Sequence, residues 1–233
     1  MMLAILQARM RSTRLPGKVL KSLLGAPMLA RQIERVLRAR RIDRLVVATS
    51  DDPSDDPIAA LCERLNIGVH RGSLMDVLGR YCGAARQFGP AEHIVRLTGD
   101  CPLADWEVID AVLDHHISEG ADFTSNDQTL TFPKGLDVEV FRAEHLRAAY
   151  DEARDPYERE HVTPFFYRNP DRFRIANLEC DPPLGELRWT VDTPEDFAFV
   201  ERVYAALYPA KPAFLSKDVA RLTANDPPRP RDG

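Results

Sequence analysis

The chain has 233 residues, 44% of them hydrophobic and 29% charged, with a formal net charge of −5. Such a length and composition suit a globular α/β protein, and the negative charge argues against sequence-independent nucleic-acid binding, which needs a basic face. No stretch approaches the length of a membrane span, and the four cysteines have neither metal-site nor disulfide spacing. Because the charge order at the N-terminus is also the reverse of a signal peptide, we expect a cytoplasmic protein with no nucleic-acid or membrane partner.

The N-terminal stretch predicts a buried strand that runs directly into a basic loop. Residues 1–6 are apolar, and residues 7–18 carry four cationic side chains and no acidic one. Open α/β sheets bind ligands at the carboxyl ends of their strands. Cations among small residues that allow a close approach of the backbone, here Ser12, Thr13 and Gly17, suit a polyphosphate. A solvated basic loop is the alternative interpretation.

Helices and strands are predicted to alternate along the next hundred residues. Apolar residues at helical spacing and capping signals predict helices within residues 27–40, 58–65, 74–85 and 106–120. Apolar runs predict strands at residues 45–49, 67–70 and 94–98. This order predicts a mostly parallel sheet with helices on both faces.

Two acidic stretches in this part of the chain have structural explanations. Residues 50–57 contain four aspartates, which suggest a metal site, but Asp56 before a proline also fits a helix N-cap, and capping is favoured. Ser73 and Asp76 have capping-box spacing. Arg71 has no such explanation, and it follows a predicted strand just as the basic loop does.

The alternation ends after residue 120. Residues 129–135 are expected to form a loop, and strict alternation over residues 136–141 predicts a strand. Asp137 and Glu139 then project from the same face of that strand. A helix is expected around residues 144–153.

A final strand and helix are predicted before the C-terminal tail. The strand covers residues 187–191, and the helix begins with Thr193 as its cap and Pro194 in its first turn and extends to about Leu207. The proline-rich tail, residues 226–233, is expected to be disordered.

The basic loop matches neither of two common phosphate motifs. No GxGxxG follows a strand, and Gly17-Lys18 lacks both the upstream glycine and the downstream hydroxyl of a P-loop. Two isolated aspartates remain, Asp100 and Asp192, each at the end of a predicted strand. If these strands are neighbours, both carboxylates reach one cation, and Mg²⁺ typically binds one or two carboxylates together with phosphates and water. This pairing favours a site for a magnesium triphosphate over separate turn or capping roles for the two aspartates.

The loop sequence QARMRSTRLPGK, residues 7–18, resembles the nucleotide-binding signature of the cytidylyltransferases that activate acidic sugars. The resemblance is strongest to the branch named after the spore coat polysaccharide biosynthesis protein SpsF, relatives of the CMP-KDO and CMP-sialic acid synthetases. Supporting stretches lie at residues 71–78, 96–102, 135–141, 159–164 and 190–197. The resemblance therefore covers nearly the whole chain, to about Leu207.

The resemblance implies the nucleotide-diphospho-sugar transferase fold, a Rossmann-like three-layer α/β/α sandwich with a mostly parallel mixed sheet. Residues 1–225 would form one nucleotidyltransferase domain, in which residues 121–170 are an excursion for substrate binding and dimerisation. The implied reaction transfers a cytidylyl group from CTP to an acidic sugar and releases pyrophosphate, with Mg²⁺ as cofactor, in surface polysaccharide or glycoconjugate biosynthesis. A homodimer is expected. A glycosyltransferase of the same fold and a non-catalytic nucleotide-binding protein are the alternatives.

The candidate site residues fall into three groups. The nucleotide-binding group comprises Ala8, Arg9, Ser12, Arg14, Lys18 and Arg71. Arg9, Lys18 and Asp100 are expected to be catalytic through positioning and charge neutralisation, and Asp100 and Asp192 match the family's magnesium ligands. The sugar-binding group comprises Asp137, Glu139, Arg159 and His161. The two carboxylates would accept hydrogen bonds from sugar hydroxyls, and Arg159 or His161 would meet an acidic group, although a structural role for His161 is an equal alternative.

Overall fold

A seven-stranded sheet runs through the protein, which we describe from a computed structural model over residues 1–226. Its strands are β1 (Met2–Gln7), β4 (Arg44–Ser50), β5 (Gly68–Gly72), β6 (His93–Thr98), β7 (Phe123–Ser125), β8 (Glu139–Arg142) and β9 (Ile175–Asn177), and a small hairpin joins β2 (Ser22–Leu23) and β3 (Ala26–Pro27). The spatial order is β5-β4-β1-β6-β8-β7-β9. Strands β1, β4, β5 and β6 are parallel, whereas β8 is antiparallel to β6 and β7. The predicted mostly parallel, mixed sheet is confirmed.

Helices cover both faces of this sheet. They are α1 (Met28–Val36), α2 (Asp56–Arg64), α3 (Val77–Phe88), α4 (Trp106–Glu119), α5 (Ala143–Glu152), α6 (Pro156–His161), α7 (Pro164–Tyr167), α8 (Pro194–Leu207) and α9 (Ser216–Leu222). The helices predicted near α1 to α5 and α8 are confirmed with small shifts in their bounds. The short helices α6, α7 and α9 were not predicted.

Alternating side chains of β1 divide the core into two apolar layers. Ala4 and Leu6 pack in the layer that contains α1, α2, α4 and α8, and Leu3 and Ile5 pack in the layer that contains α3, α5 and α7. Because both faces are covered, the parallel strands are apolar throughout instead of alternating with polar residues. The three-layer α/β/α sandwich is thereby confirmed.

Three further expectations concern the chain as a whole. The predicted tail lies outside the described residues, apart from Asp226. Residues 121–170 contain β7, β8 and α5 to α7, so this excursion contributes strands to the central sheet, and its role in dimerisation stays a prediction. In the described part of the chain, no helix has both the length and the apolar character needed to cross a bilayer.

The strand predicted over residues 187–191 is wrong. The structure has a single β-bridge there, between Lys134 and Arg188. The backbone amides of Trp189 and Thr190 both donate to the carbonyl oxygen of Lys134, at 2.7 and 3.0 Å. The backbone amides of the segment thus find their hydrogen-bond acceptor in a loop, and the segment lies outside the sheet.

Gly135 allows the close contact between this loop and the segment. Its φ is 108°, and a Cβ at this position would come within 2.6 Å of the Thr190 nitrogen. The segment then continues to Val191, whose amide donates to the carbonyl oxygen of Asp100 at 2.8 Å. Asp192 is therefore brought to the end of β6 without a strand of its own.

Strand β8 begins at Glu139, three residues later than the predicted start. The side chain of Asn126, which is buried, donates to the carbonyl oxygen of Leu136 at 2.9 Å and accepts from the amide of Val138 at 2.8 Å. An amide side chain thus satisfies backbone groups that a neighbouring strand would otherwise bind. Strand pairing starts only where Glu139 lies opposite Ser125 and Arg96.

Two predicted caps are displaced, and one is confirmed. Helix α2 begins at Asp56, and its N-cap is Asp55, whose side chain makes no capping bond. The predicted capping box made Ser73 the N-cap of α3. In the structure the N-cap is Asp76, which accepts from the Gly79 amide at 2.9 Å. Thr193 caps α8 in a full capping box, as predicted.

We expect a buried histidine pair to make stability depend on pH. His116 Nε2 lies 3.1 Å from His93 Nδ1, and His116 Nδ1 lies 2.8 Å from Thr124 Oγ1. Burial lowers the pKa of His116 to about 4, and the neighbouring His93 and Arg142 act in the same direction. An unfolded histidine titrates near ~6.5, so the unfolded chain binds more protons between these two values, and the free energy of unfolding falls by roughly 3 kcal/mol as pH drops from 6.5 to 4.

Urea unfolding at a series of pH values tests this expectation. His116→Gln should flatten the dependence between pH 4 and 6.5, whereas His115→Gln, which removes only a minor cause of the lowered pKa of His116, should keep most of it. An equal slope for His116→Gln and the wild type would contradict the assignment.

Candidate active site

A cavity of about 360 Å³ opens where β1 and β6 end. Gln7 and Ala8 line it at the end of β1, and Thr98, Gly99 and Asp100 line it at the end of β6. Its other charged lining residues are Arg9, Arg11, Arg14, Lys18, Arg80, Arg96, Glu160 and Asp192. Six cations thus face three carboxylates, so this cavity, here called the cationic cavity, favours an anionic ligand.

The basic loop that forms one wall is held in a defined shape. The amide of Gly17 donates to the carbonyl oxygen of Met10 at 2.9 Å and closes the loop, and the φ of Gly17 is 69°, a conformation that favours glycine. The amide of Met10 donates to Asp55 Oδ1 at 2.7 Å. Asp55 is 1% exposed and also accepts from the amide of Ser50 at 3.1 Å, so one buried carboxylate ties the loop to the end of β4.

Lys18 lies between the two aspartates that the sequence singles out. Its Nζ donates to Asp100 Oδ2 at 3.3 Å, to Asp192 Oδ1 at 3.0 Å and to the carbonyl oxygen of Val191 at 2.6 Å. Burial alone would lower the pKa of Lys18, but the two carboxylates raise it above its ordinary value. The structure thus brings both carboxylates to one cation, and their role as metal ligands stays a prediction.

Asp192 is further surrounded by arginines. Arg188 Nη2 donates to its Oδ2 at 2.7 Å, and Arg14 Nη2 lies 3.3 Å from the same oxygen. Burial alone would raise the pKa of Asp192, but Lys18, Arg188 and Arg14 lower it. Asp192 is therefore ionised at neutral pH and bound from three sides.

A second cavity of about 300 Å³ adjoins the first and has the opposite charge. The two share five lining residues, which are Arg96, Thr98, Asp100, His161 and Asp192. The charged residues found only in the second are Asp127, Lys134, Asp137 and Glu139. Five carboxylates thus face two cations in this second cavity, here called the acidic cavity.

Both cations of the acidic cavity already face carboxylates of the protein. Arg96 forms an ion pair with Glu139, which also accepts from Thr163 Oγ1 at 2.6 Å. Burial alone would lower the pKa of Arg96, but Glu139 raises it. Burial raises the pKa of Asp137 to about 6, and Asp127 acts in the same direction, while Lys134 opposes them. The acidic cavity is thus lined by groups that accept hydrogen bonds.

Helix α6 ends with Glu160, which lines the cationic cavity, and His161, which lines both cavities. Asp155 caps it by accepting from the amide of Tyr157 at 2.9 Å. At its end, Glu160 forms an ion pair with Arg9 at 3.5 Å. Burial lowers the pKa of the adjoining His161, so this histidine is neutral at pH 7. His161 as a whole is exposed although its ring is partly enclosed, it lines both cavities, and its functional role stays a prediction.

Most of the predicted site residues gather at the two cavities. Those that line the cationic cavity are Ala8, Arg9, Ser12, Arg14, Lys18, Asp100, His161 and Asp192. Those that line the acidic cavity include Asp137 and Glu139. Asp137 and Glu139 of the predicted sugar group thus lie apart from the predicted nucleotide residues, whereas His161, Asp100 and Asp192 line both cavities.

Two predicted site residues line neither cavity. Arg71 Nε donates to the carbonyl oxygen of Ser50 at 2.9 Å, and its Nη2 lies 2.7 Å from Asp56. Arg159 Nε donates to Asp76 Oδ1 at 3.1 Å, which ties α6 to the start of α3. Each guanidinium is thus engaged by protein groups in this structure, and the contacts of Arg71 with nucleotide and of Arg159 with sugar stay predictions.

Other lining residues were missed from the sequence. They are Gln7, Arg11, Arg80, Glu160, Asp127, Lys134 and Arg96. A signal existed for Arg96, because an arginine in the middle of an apolar strand must find a partner when the strand is buried. Arg80 lies within a helical pattern, where a charge is typical of a solvated face, so its burial depends on tertiary structure.

The comparison with known families decides what kind of protein this is. A family model described as "Cytidylyltransferase" matches residues 3–209. The chain belongs to the cytidylyltransferase family. This cytidylyltransferase is 36% identical over 210 residues to the spore coat polysaccharide biosynthesis protein SpsF of Bacillus subtilis, which covers 87% of this chain and 85% of that protein. A 3-deoxy-manno-octulosonate cytidylyltransferase of Anaeromyxobacter dehalogenans is 38% identical over 110 residues, 47% of this chain and 44% of that protein.

Solved structures share the fold. A cytidylyltransferase from Leptospira borgpetersenii is 30% identical and superposes with a TM-score of 0.90 over 96% of this chain and 93% of that chain. A CMP:2-keto-3-deoxy-manno-octonic acid synthetase complexed with CTP is 17% identical and superposes with a TM-score of 0.63 over 88% of this chain and 98% of that chain. The predicted nucleotide-diphospho-sugar transferase fold is confirmed.

Proposed function

We propose that this cytidylyltransferase transfers the cytidylyl group of CTP to a sugar and releases pyrophosphate, in surface polysaccharide or glycoconjugate biosynthesis. One observation carries the proposal: a cationic cavity and an acidic cavity meet at Asp100 and Asp192, the two carboxylates that Lys18 bridges from the cationic cavity. A triphosphate fits the first cavity by charge, and a polyhydroxylated acceptor fits the second, because carboxyl oxygens accept hydrogen bonds from hydroxyl groups. The names of the relatives, a polysaccharide biosynthesis protein and a sugar-acid cytidylyltransferase, support this assignment.

The residues of the cationic cavity act by positioning and by neutralising charge. An acceptor oxygen forms a bond to the α-phosphorus while the bond from that phosphorus to the leaving pyrophosphate breaks, and the acceptor loses its proton. Negative charge develops on the leaving group, and Arg9, Arg14 and Lys18 are placed to stabilise it. No covalent intermediate with the protein is required.

The donor set at the junction fits Mg²⁺. Asp100 and Asp192 offer carboxylate oxygens that already converge on the ammonium of Lys18, so the site stabilises positive charge. Within residues 1–226, no three His, Cys, Asp or Glu side chains gather in a way that could hold a metal. We propose that Asp100 and Asp192 hold Mg²⁺ and that phosphates and water complete its coordination, an arrangement typical of this ion. When bound, the ion would neutralise phosphate charge.

The charges also constrain how an acidic sugar would bind. We propose that its carboxylate lies toward the cationic cavity, because Arg96 and Lys134 in the acidic cavity already face Glu139 and Asp137. Its hydroxyl groups would then face the carboxylates of the acidic cavity. An acceptor that placed a carboxylate among these carboxylates would be repelled.

A pyrophosphate-release assay with CTP, Mg²⁺ and a panel of sugar acids and neutral sugars tests the proposal. We expect release that requires CTP, an acceptor and Mg²⁺, and a cytidylylated product. Consumption of a nucleotide sugar without pyrophosphate would instead indicate a glycosyltransferase. Binding of CTP with no acceptor-dependent release across the panel would favour a non-catalytic nucleotide-binding protein.

Asp55→Ala is expected to weaken CTP binding although this residue does not line the cavity. The substitution leaves the buried amides of Met10 and Ser50 without an acceptor, so the basic loop loses its anchor. We expect the free energy of unfolding to fall by about 2–4 kcal/mol and the Kd for CTP to rise at least ~10-fold. Thermal melts and calorimetric titration measure the two effects. Asp51→Ala, in the same turn but exposed, is the matched control, and an unchanged Kd for folded Asp55→Ala would contradict the anchoring role.

A further inference from the structure

Arg80 is a buried cation that lines the cationic cavity from α3. It is 2% exposed. Its Nη1 donates to the carbonyl oxygens of Ser73 and Leu74, at 2.6 and 3.0 Å, in the loop between β5 and α3. Its Nε is buried and has no hydrogen-bond partner.

Arg80 differs from the other cations of this cavity in its lack of an ion pair. The other pairs are Arg9 with Glu160, Arg11 with Asp52, Arg14 with Asp192, Lys18 with Asp100 and Asp192, and Arg96 with Glu139. Among residues 1–226, no carboxylate oxygen lies within 4.0 Å of the Arg80 guanidinium. A buried charge without a counter-charge is costly, and two neutral carbonyl groups offset that cost only in part.

Two further observations support a ligand contact in this cavity, one on the charge of Arg80 and one on Gln7. Burial lowers the pKa of Arg80, and the nearby Arg9 acts in the same direction, while Tyr81, Asp55 and Asp76 oppose them only in part, so the buried charge is incompletely compensated. A guanidinium nevertheless stays protonated in proteins. Gln7 Oε1, on another side chain that lines the same cavity, is also buried without a partner. Two side chains that line the cavity therefore each carry a buried polar atom without a hydrogen-bond partner.

We infer that Arg80 is a nucleotide-contacting residue, whose guanidinium donates to an acceptor oxygen of CTP while it holds the loop between β5 and α3. This inference rests on the proposed function, in which CTP occupies the cationic cavity. The acceptor oxygen belongs either to a phosphate or to the cytidine moiety. Both satisfy the same donor, and they are separated by the ligands used in the test.

Calorimetric titration of Arg80→Met and Arg80→Lys with CTP, CMP and cytidine tests the inference. A charge-assisted hydrogen bond that is lost should weaken CTP binding about 10- to 100-fold in Arg80→Met, and Arg80→Lys should recover part of the loss. A contact with the α-phosphate predicts weaker binding of CTP and CMP with cytidine unchanged, and a contact with the β- or γ-phosphate predicts weaker binding of CTP alone. A contact with the cytidine moiety predicts the same factor for all three ligands.

Arg35→Met is the matched control, because Arg35 is also a buried arginine that donates to backbone carbonyl oxygens, those of Ala104 and Phe214, and it lines neither cavity. We expect its Kd for CTP to equal that of the wild type. If Arg80→Met and Arg80→Lys bind CTP as the wild type does and only melt at lower temperature, Arg80 is purely structural and the inference is wrong. If the unmodified chain itself does not bind CTP, the proposed function fails and the inference fails with it.

Discussion

Lys18→Met is expected to reduce the turnover of CTP at least ~10²- to 10³-fold, the usual cost of removing one donor that stabilises charge developing in a transition state. The ammonium of Lys18, in the cationic cavity, bridges Asp100 and Asp192, the two carboxylates that line both cavities. Methionine has a similar length but leaves the two carboxylates facing each other. Pyrophosphate release under saturating CTP measures the effect on kcat.

Loss of stability must be separated from this loss of catalysis. Breaking a buried ion pair by removing one partner typically costs ~3–5 kcal/mol. Thermal melts of Lys18→Met therefore accompany the kinetics, and Lys21→Met, an exposed lysine three residues away, is the matched control. If folded Lys18→Met kept the wild-type kcat, the central role given to this lysine would be wrong.

Asp100→Asn and Asp192→Asn are expected to abolish the magnesium-dependent part of the activity. Each substitution keeps the shape of the side chain and removes the charge that a divalent cation requires. We expect pyrophosphate release to fall at least ~100-fold and the Mg²⁺ concentration for half-maximal rate to rise, measured by titrating Mg²⁺ at fixed CTP.

We expect Asp192→Asn to lower the stability of the protein more than Asp100→Asn does. Asp192 also accepts from Arg188 and pairs with Arg14, so its replacement disturbs three cations, whereas Asp100 is bonded through its carboxylate to Lys18. Asp127→Asn, within the acidic cavity but away from the junction, is the control and should change only the KM for the acceptor. Full magnesium-dependent activity in Asp100→Asn would show that the metal lies elsewhere.

The basic loop and its neighbours could be predicted because their signals are local. An apolar run followed by residues 7–18 marks a strand and a ligand loop, and Thr193 with Pro194 marks a helix start whatever the surrounding fold. Asp100 and Asp192 could be singled out because a cap or a turn did not fully explain either one. In each case the information lies within a few residues of the chain.

The remaining features depend on contacts between distant segments. Residues 187–191 have the composition of a strand, but their backbone amides donate to the carbonyl oxygens of Lys134 and Asp100 instead of to a neighbouring strand. Arg71 lies within β5, whereas the sequence predicted it just after the strand, and its side chain donates to the carbonyl oxygens of Ser50 and Asp52 at the end of β4. Arg80 enters the site only because α3 packs against β5, which no helical pattern reveals.

Calorimetric titration of the wild-type chain with CTP, UTP, ATP and GTP, each with Mg²⁺ and with EDTA, is the most direct test of the claim that the cationic cavity is a cytidine triphosphate site. We predict that CTP binds most tightly, that EDTA weakens its binding, and that Lys18→Met weakens it as well. Equal affinity for the four triphosphates, or CTP binding that is insensitive to both EDTA and Lys18→Met, would contradict the claim.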